Sequence, residues 1–327
     1  MNLATTRRAL LGAAALAPLA RPALAQNGWR ASRPIRMLIP FPPGGATDII
    51  ARMLAQQMGD RLGASLVVDN RPGANGIVAS QALLGQPADG HTLIMGTGDT
   101  HTILPLAHKR LPYDIRDFTA VAPAATVVFT VAVRQGLPVN DVQGLLALAR
   151  SSAQAGQPLT YASYGVGSAS QVAGETFKQL TGVNLLHVPY QGAGPAILAV
   201  SANQVDVTFV PLAVSGPQKA SVKILAVCTD QRFETAPDLP TLRESGVALT
   251  ADTWIGLLAH AKTPPEVLDT INAVVRRVTQ SPEFLDALRT NAFTPLNLDR
   301  AAWAAYLSRE SEKLGAIVRE AGIQFEG

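Results

Sequence analysis

The stretch from Ile39 to Asp48, Ile-Pro-Phe-Pro-Pro-Gly-Gly-Ala-Thr-Asp, limits what this chain can fold into more than any other. It separates an apolar run at 35–39, which predicts a strand, from residues 49–58, whose apolar side chains recur at helical spacing. Prolines end the strand, glycines allow a sharp turn, and Thr47 or Asp48 is expected to cap the helix. The unpaired N–H groups and the dipole of such a helix end attract anions. An ordinary strand-to-helix turn is the alternative.

A second loop of the same kind favours the anion-binding interpretation. Residues 159–162 predict a strand, residues 163–171 are small and rich in hydroxyl groups, and residues 172–180 predict an amphipathic helix. With one such unit in each domain, we expect two positive helix ends to face one cleft. An anion held there gains roughly 1.5–3 kcal/mol per charge-assisted hydrogen bond.

Strands and helices alternate along the first part of the chain. Residues 66–69 and 92–95 predict strands, residues 77–84 predict a helix, and Gly96-Thr-Gly98 is expected to end the second strand. This alternation is typical of an α/β fold with parallel strands, in which ligands lie beyond the carboxyl ends of the strands. We therefore expect one cleft to be lined by the loops at 40–48, 70–76 and 96–102, the last of which carries Asp99, Thr100 and His101.

The rest of the pattern predicts two domains joined by two crossings. Residues 126–133 form a long β-rich run that suits a strand passing between domains, and residues 253–259 predict the strand that returns. A helix is expected at about 139–151, with Asn140 as its cap. Most of the remainder predicts helix, at 264–281 and 300–321.

The first 25 residues have the features of a secretory signal peptide. Arg7 and Arg8 precede an alanine- and leucine-rich run, and Ala23-Leu24-Ala25 supplies a small-residue cleavage site. The twin arginines favour the twin-arginine export route, with general secretion as the alternative. Pro18 interrupts the apolar run well short of a bilayer span, which argues against a membrane anchor. We expect cleavage after Ala25 and a periplasmic location.

Charge and cysteine content exclude two classes of protein. The chain has 27 Lys and Arg against 24 Asp and Glu, but residues 1–25 hold three arginines and no acid, so the mature chain is formally neutral. It therefore lacks the basic surface expected for nucleic-acid binding. Cys228 is the single cysteine, so no internal disulfide forms and a hydrophobic core must supply the stability. About 300 mature residues suit two domains.

Six ordered motifs carry a family resemblance. They are Pro40-Phe-Pro-Pro-Gly-Gly-Ala-Thr-Asp48, Asn70-Arg-Pro-Gly-Ala74, Ala88-Asp-Gly-His-Thr-Leu93, Leu111-Pro-Tyr-Asp114, His187-Val-Pro-Tyr190 and Gln204-Val-Asp-Val207. The chain resembles the Bug family, the periplasmic substrate-binding proteins of tripartite tricarboxylate transporters. The resemblance implies an α/β fold of the two-lobed periplasmic binding protein type II, with lobe 1 at 26–126 and 248–327 and lobe 2 at 127–247. It also implies a small organic carboxylate as ligand, transmembrane permease subunits as partners, and a monomer without cofactor or metal.

The resemblance also implies which residues touch the ligand. In the family, two small loops hold a carboxylate; they correspond here to 42–48 and 163–170. The ligand-binding residues expected are Pro42, Gly44, Gly45, Ala46, Thr47, Asp48, Thr97, His101, Ser163, Gly165, Gly167, Ser168, Tyr190 and Val210. One departure concerns specificity, because Val210 and Pro211 stand where family members often carry Asp-Asn. The missing acid predicts a carboxylate with an apolar or aromatic body and argues against an amino acid.

No catalytic pattern competes strongly with the receptor interpretation. Gly165-Val-Gly167 begins a dinucleotide-binding pattern, but Ser170 stands at its third glycine. No phosphate-binding lysine loop, serine elbow or zinc-protease motif is present, and the five histidines lack metal-ligand spacing. Cys228 lies among apolar residues and is expected to be a buried, inert thiol. Two alternatives stay open: a secreted hydrolase or other enzyme using Ser or His in the cleft, and a sensor that presents its ligand to a signalling partner.

Overall fold

The computed structural model describes residues 29–108 and 110–320, so the predicted signal peptide and its cleavage after Ala25 lie outside the described residues. The elements in chain order are β1 Ile35–Ile39, α1 Ala46–Leu62, β2 Leu66–Asn70, α2 Ile77–Leu84, β3 Thr92–Thr97, α3 Leu104–Ala107, β4 Phe118–Arg134, α4 Val142–Gln154, β5 Leu159–Ser163, α5 Ala169–Thr181, β6 Leu185–Pro189, α6 Ala193–Ser201, β7 Val207–Pro211, α7 Leu212–Ser215, β8 Val222–Val227, β9 Asp252–His260, α8 Pro265–Thr279, α9 Pro282–Thr290, β10 Phe293–Pro295 and α10 Arg300–Glu320.

The strands form a mixed sheet with the order β2-β1-β3-β9-β4-β7-β5-β6, in which β8 and β10 also pair with β4. Strands β2, β1 and β3 are parallel, and so are β7, β5 and β6. The central β9 and β4 run antiparallel to their neighbours. The carboxyl ends of β1, β3 and β5 each lead into a loop of the predicted cleft, which confirms the α/β prediction from strand and helix alternation.

Strand β4 connects the two halves of the molecule. Its residues up to Val128 pair with β9, and its residues from Phe129 onward pair with β7 and β8. The strand is 17 residues long and mostly buried, because both halves cover it. The predicted crossing at 126–133 therefore lies inside β4, and the predicted returning strand is β9. A two-lobed fold follows from this exchange of partners.

Buried aromatic and aliphatic side chains hold each half together. Trp254 and Trp303 are 1% and 0% exposed and meet edge to face with ring centroids 5.1 Å apart, which fixes α10 against β9. In the other half, Phe177 and Phe209 pack with centroids 5.3 Å apart between α5 and β7. Cys228 is buried among apolar neighbours, as the sequence predicts.

Several predicted boundaries and caps are wrong. Helix α1 begins at Ala46 and its N-cap is Gly45, so neither Thr47 nor Asp48 caps it. The cap of α4 is Asp141, whose carboxylate accepts from the Gly144 N–H at 2.7 Å, and not Asn140 one residue earlier. Strand β3 continues through Gly96 to Thr97, because β9 pairs with it there.

The helix predicted at 264–281 is α8, Pro265–Thr279, and a separate helix, α9, follows it at Pro282–Thr290. Ser281 caps α9 by accepting a hydrogen bond from the Phe284 N–H at 3.2 Å. Pro282 lacks the N–H that would continue α8 and suits the first turn of a new helix. Among the residues described, no helix is long and apolar enough to cross a membrane.

Candidate functional site

Two adjoining cavities lie where the loops after β1, β3 and β5 meet. The outer cavity has a volume of about 330 Å³ and the inner one about 40 Å³. Four residues line both cavities and form the neck between them: Phe41, Pro42, Tyr164 and Gly192. A cavity of 40 Å³ has room for a few waters or one small polar group. The volumes therefore suit a ligand with a polar head inside and a larger body outside.

The N-terminus of α1 opens into the inner cavity. Gly45 is extended (φ −80°, ψ 166°), and no side chain caps the helix. In the part of the chain that the structure describes, the backbone N–H groups of Ala46 and Thr47 have no hydrogen-bond partner, and both residues line the inner cavity. Gly44 reaches this turn with φ +84°, which only glycine adopts without strain. An uncapped helix end beside a cavity is a site for an anion.

Asp48 fixes the shape of this loop. Its carboxylate accepts from Arg52 and from the Gly44 N–H at 3.0 Å, and from the Asn70 side chain at 3.0 Å. Burial opposes ionisation, but the bonds from Arg52, Gly44 and Asn70 outweigh it and lower the pKa of Asp48 below its ordinary value. Asp48 and Gly44 line neither cavity, so in this structure they position the loop that Gly45 and Thr47 belong to.

The second predicted loop differs from the first, because the backbone donors of Gly165, Gly167 and Gln171 are already paired. The Gly165 N–H donates to Ser163 Oγ at 3.3 Å, and the Gly167 N–H donates to the Gln171 side chain at 2.7 Å. Ser168 is the N-cap of α5, with its hydroxyl accepting from the Gln171 N–H at 3.2 Å. The expectation of two open helix ends is therefore wrong for α5. Gly165 still lines the outer cavity.

Asp99 completes the pairing at α5. Its Oδ1 accepts from the Ala169 N–H at 2.5 Å and from the Tyr164 hydroxyl at 2.9 Å, while Thr253 Oγ1 lies 3.4 Å from Oδ2. Asp99 is 2% exposed and lines the inner cavity. Burial raises its pKa above the ordinary value, although the bonds from Ala169 and Tyr164 act in the opposite direction. Burial likewise raises the pKa of Tyr164.

Thr97 reaches the inner cavity, and His101 does not. Thr97 lines the cavity beside Asp99, and its backbone N–H is held by Thr100 Oγ1 at 3.0 Å. Thr100 Oγ1 also lies 2.6 Å from His101 Nδ1, and the imidazole meets the Phe118 ring edge to face at 4.7 Å. Burial lowers the pKa of His101 to about 3, so the ring is neutral. Of the three residues expected after β3, only Asp99 lines a cavity.

Some of the other residues expected to bind the ligand line a cavity, and others do not. Pro42, Gly45, Ala46, Thr47 and Thr97 line the inner cavity, while Pro42, Gly165 and Tyr190 line the outer one. Val210 is fully buried in β7 and lines neither cavity, whereas its neighbour Pro211 lines the inner one. The apolar cavity wall expected at this point is therefore supplied by Pro211.

Phe41, Tyr164 and Asn75 are among the cavity residues that the sequence reasoning missed. Phe41 and Tyr164 form the neck, with their rings edge to face at 6.2 Å. Asn75 crosses the cleft by donating to the Gly167 carbonyl at 3.0 Å, from a backbone with φ +47°. Each stands in a loop that the sequence singled out, but their mutual approach depends on how the lobes close. The one signal for Asn75 in the sequence was its residue type, because asparagine adopts the left-handed backbone region more readily than most residues.

The structure also shows the Ser and His pair that an enzyme interpretation would need. Ser163 Oγ lies 2.6 Å from His187 Nε2. Ser163 is fully buried, its hydroxyl also contacts the Gly165 backbone, and neither Ser163 nor His187 lines a cavity. A hydroxyl in that position has no access to a substrate in the cleft. No cluster of three or more potential metal-ligating side chains occurs among the described residues.

The fold and the cleft define a solute-binding protein with two lobes. The chain belongs to the family of tripartite tricarboxylate transporter receptors, whose model matches residues 50–323. The receptors of this family are periplasmic proteins that bind a solute for a transporter. The protein is therefore a member of the receptor family that includes the Bug proteins, as the six motifs predict.

Relatives and solved structures agree with this assignment. A UPF0065 protein of Bordetella pertussis is 30% identical over 90% of this chain and 91% of its own length. The structure of Rpa4515 of R. palustris with adipate superposes with a TM-score of 0.85, at 31% identity over 90% of this chain and 98% of that one.

Two more solved structures are similar. The periplasmic binding protein BugD has a TM-score of 0.84 and is 28% identical over 90% of this chain and 99% of its own. MatC (Rpa3494) from Rhodopseudomonas palustris with bound malate has a TM-score of 0.81 and is 27% identical over 88% of this chain and 99% of its own.

Proposed function

We propose that this protein captures a small organic carboxylate between its lobes and delivers it to the permease of a tripartite tricarboxylate transporter. The observation that carries the proposal is the uncapped N-terminus of α1, whose Ala46 and Thr47 N–H groups face a cavity too small for more than a polar head group. A carboxylate there satisfies both donors and the helix dipole. The adipate and malate bound by two similar receptors belong to the same chemical class.

The ligand-binding set follows from the lining of the two cavities. The head group binds at Gly45, Ala46 and Thr47, with Pro42 and Thr97 beside it, and the body lies against Tyr190 and Gly165. Gly44 and Asp48 act through the shape of the loop, and Ser163, Gly167 and Ser168 through the shape of the second loop. His101 and Val210 act only as packing groups behind the cavities.

The lobes are proposed to divide at the two crossings. Lobe 1 spans 26–126 and 248–327 and lobe 2 spans 127–247, which is supported by the change of β4 partners after Val128. Closure of the lobes excludes water and strengthens the bonds to the carboxylate. The protein acts as a monomeric, non-enzymatic receptor in the periplasm after export by the twin-arginine route and cleavage after Ala25.

A thermal-shift screen of residues 26–327 tests the proposal. The protein is unfolded and refolded first to remove co-purified ligand, and is then mixed with hexanoate, adipate, benzoate, malate and aspartate. A ligand present at about 100 times its dissociation constant stabilises the fold by roughly 2.7 kcal/mol. Stabilisation by at least one carboxylic acid is expected. A flat response to every acid, also in isothermal titration calorimetry, would refute the carboxylate receptor.

A further inference from the structure

The inner cavity contains one carboxylate of the protein itself. Asp99 is buried at the meeting point of both lobes, where it accepts from the first turn of α5 and from Tyr164. A negatively charged group at this position is what a 13-residue helix with its N-terminus in a cleft favours. Nearby, the Gly165, Gly167 and Gln171 N–H groups are paired with the side chains of Ser163, Gln171 and Ser168. The α5 end therefore already holds its anion.

The two helix ends thus differ in what they offer a ligand. At α1 the Ala46 and Thr47 N–H groups have no partner within the described residues, whereas at α5 the Ala169 N–H is bound to Asp99. A second ligand carboxylate placed at α5 would have to displace Asp99 from two hydrogen bonds, and the displaced charge would remain buried in the cavity. Removing a buried charge from its partners is strongly unfavourable.

Among the described residues, the one basic side chain in the cavity walls is His108, which lines the outer cavity. Of the described residues that line the two cavities, none is lysine or arginine, and Asp99 is the one acid. The outer cavity is formed largely by proline, aromatic and glycine residues, among them Pro72, Pro189 and Tyr190. Such walls suit an uncharged body, because a carboxylate loses hydration there without a lysine or arginine to pair with.

We infer that Asp99 acts as an internal carboxylate that fills the α5 helix end, so that the cleft selects ligands with a single carboxylate and an uncharged body. The inference rests on the proposed function, since it assumes that the ligand carboxylate binds at α1. Asp99 is a specificity-determining residue in this arrangement. Its charge is compensated by α5 and Tyr164, which limits its repulsion of a carboxylate bound at the other helix end.

Matched acids that differ by one carboxylate test this directly. Dissociation constants are measured by isothermal titration calorimetry for hexanoate against adipate and for benzoate against terephthalate, with the refolded mature protein. The wild type is expected to bind each monocarboxylate at least about tenfold more tightly than its dicarboxylate partner, since one uncompensated charge in a buried site exceeds about 1.4 kcal/mol. This comparison needs no variant.

Variants then assign the preference to Asp99. Asp99→Asn keeps the side-chain shape and an oxygen that accepts from Ala169 but removes the charge, so the preference for monocarboxylates is expected to fall by about tenfold. Asp60→Asn, an exposed change on the surface of α1, is the matched control and keeps the wild-type ratio.

The outcomes separate the two proposals. If none of the acids binds, the proposed function fails and the inference fails with it. If the wild type binds adipate more tightly than hexanoate, and Asp99→Asn leaves that ratio unchanged, the receptor stands and the inference is refuted. Tighter binding of aspartate than of hexanoate, lost in Asp99→Asn, also refutes it, because Asp99 would then pair with a ligand ammonium group.

Discussion

Replacing Gly45 by aspartate places a second carboxylate at the anion site and separates binding from folding. Gly45 is the N-cap of α1, and its extended backbone is one that any residue adopts. A β-carbon built there meets only the Pro42 carbonyl, at 3.8 Å, which is an ordinary contact. An aspartate at an N-cap turns its carboxylate toward the N–H groups of the first turn. Gly45→Asp therefore pairs with the Thr47 N–H and repels a ligand carboxylate from the helix end.

Gly45→Asp is expected to weaken ligand binding strongly and to change the free energy of unfolding very little. A ligand that loses two charge-assisted hydrogen bonds, from Ala46 and Thr47, loses about 3–6 kcal/mol, or roughly 10²- to 10⁴-fold in affinity. The free energy of unfolding changes by no more than about 0.5 kcal/mol, because aspartate and glycine differ by only a few tenths of a kcal/mol as N-caps. The variant is thus expected to fold normally and to bind no ligand measurably.

The assay uses the acid that stabilises the wild type most in the screen. Calorimetry gives the dissociation constant, and guanidinium denaturation gives the free energy of unfolding. Gly45→Ala is the control, because it adds the same β-carbon without charge and retains both N–H groups, and its affinity is expected to match the wild type. Wild-type affinity in Gly45→Asp would refute the anion site at α1. Equal loss in Gly45→Ala would show that bulk and not charge is responsible.

Three further predictions concern the folded core. Burial lowers the pKa of His101 to about 3 from 6.5, so between these values the unfolded chain binds a proton that the folded chain does not. On acidification from pH 6.5 toward pH 3, the wild type should lose up to about 1.4 kcal/mol of unfolding free energy per pH unit relative to His101→Gln. Denaturation at each pH measures this, and parallel plots of unfolding free energy against pH for the two proteins would refute it. Trp303→Ala should cost about 3–5 kcal/mol of unfolding free energy, because Trp303 is fully buried against Trp254; a loss below about 1 kcal/mol on the same measure would contradict the packing. Cys228 is buried with a raised thiol pKa, so a disulfide reagent at about pH 8 should label it only after unfolding, and rapid labelling of the native protein would place it elsewhere.

Local sequence was sufficient wherever a short-range pattern decides the structure. The strand at 35–39 and the helix at 77–84 have the predicted bounds. Caps were less predictable: whether Asn140 or Asp141 caps α4 depends on which side chain reaches the Gly144 N–H, and a one-residue difference in the turn decides that. Likewise, β3 extends through Gly96 to Thr97 because β9 lies beside it, which no local pattern shows.

In the candidate site, too, the sequence determined some features and the tertiary structure decided others. The sequence determined that two glycine-rich loops end in helix N-termini, that Asp99 follows a buried strand, and that the chain belongs to a receptor family. Only the tertiary structure decided that Asp99 reaches 70 residues along the chain to Ala169, leaving α1 as the open helix end. The physical reason is that a helix end attracts any carboxylate within reach, whether from a ligand or from the protein, and the packing of the two lobes determines which one is within reach.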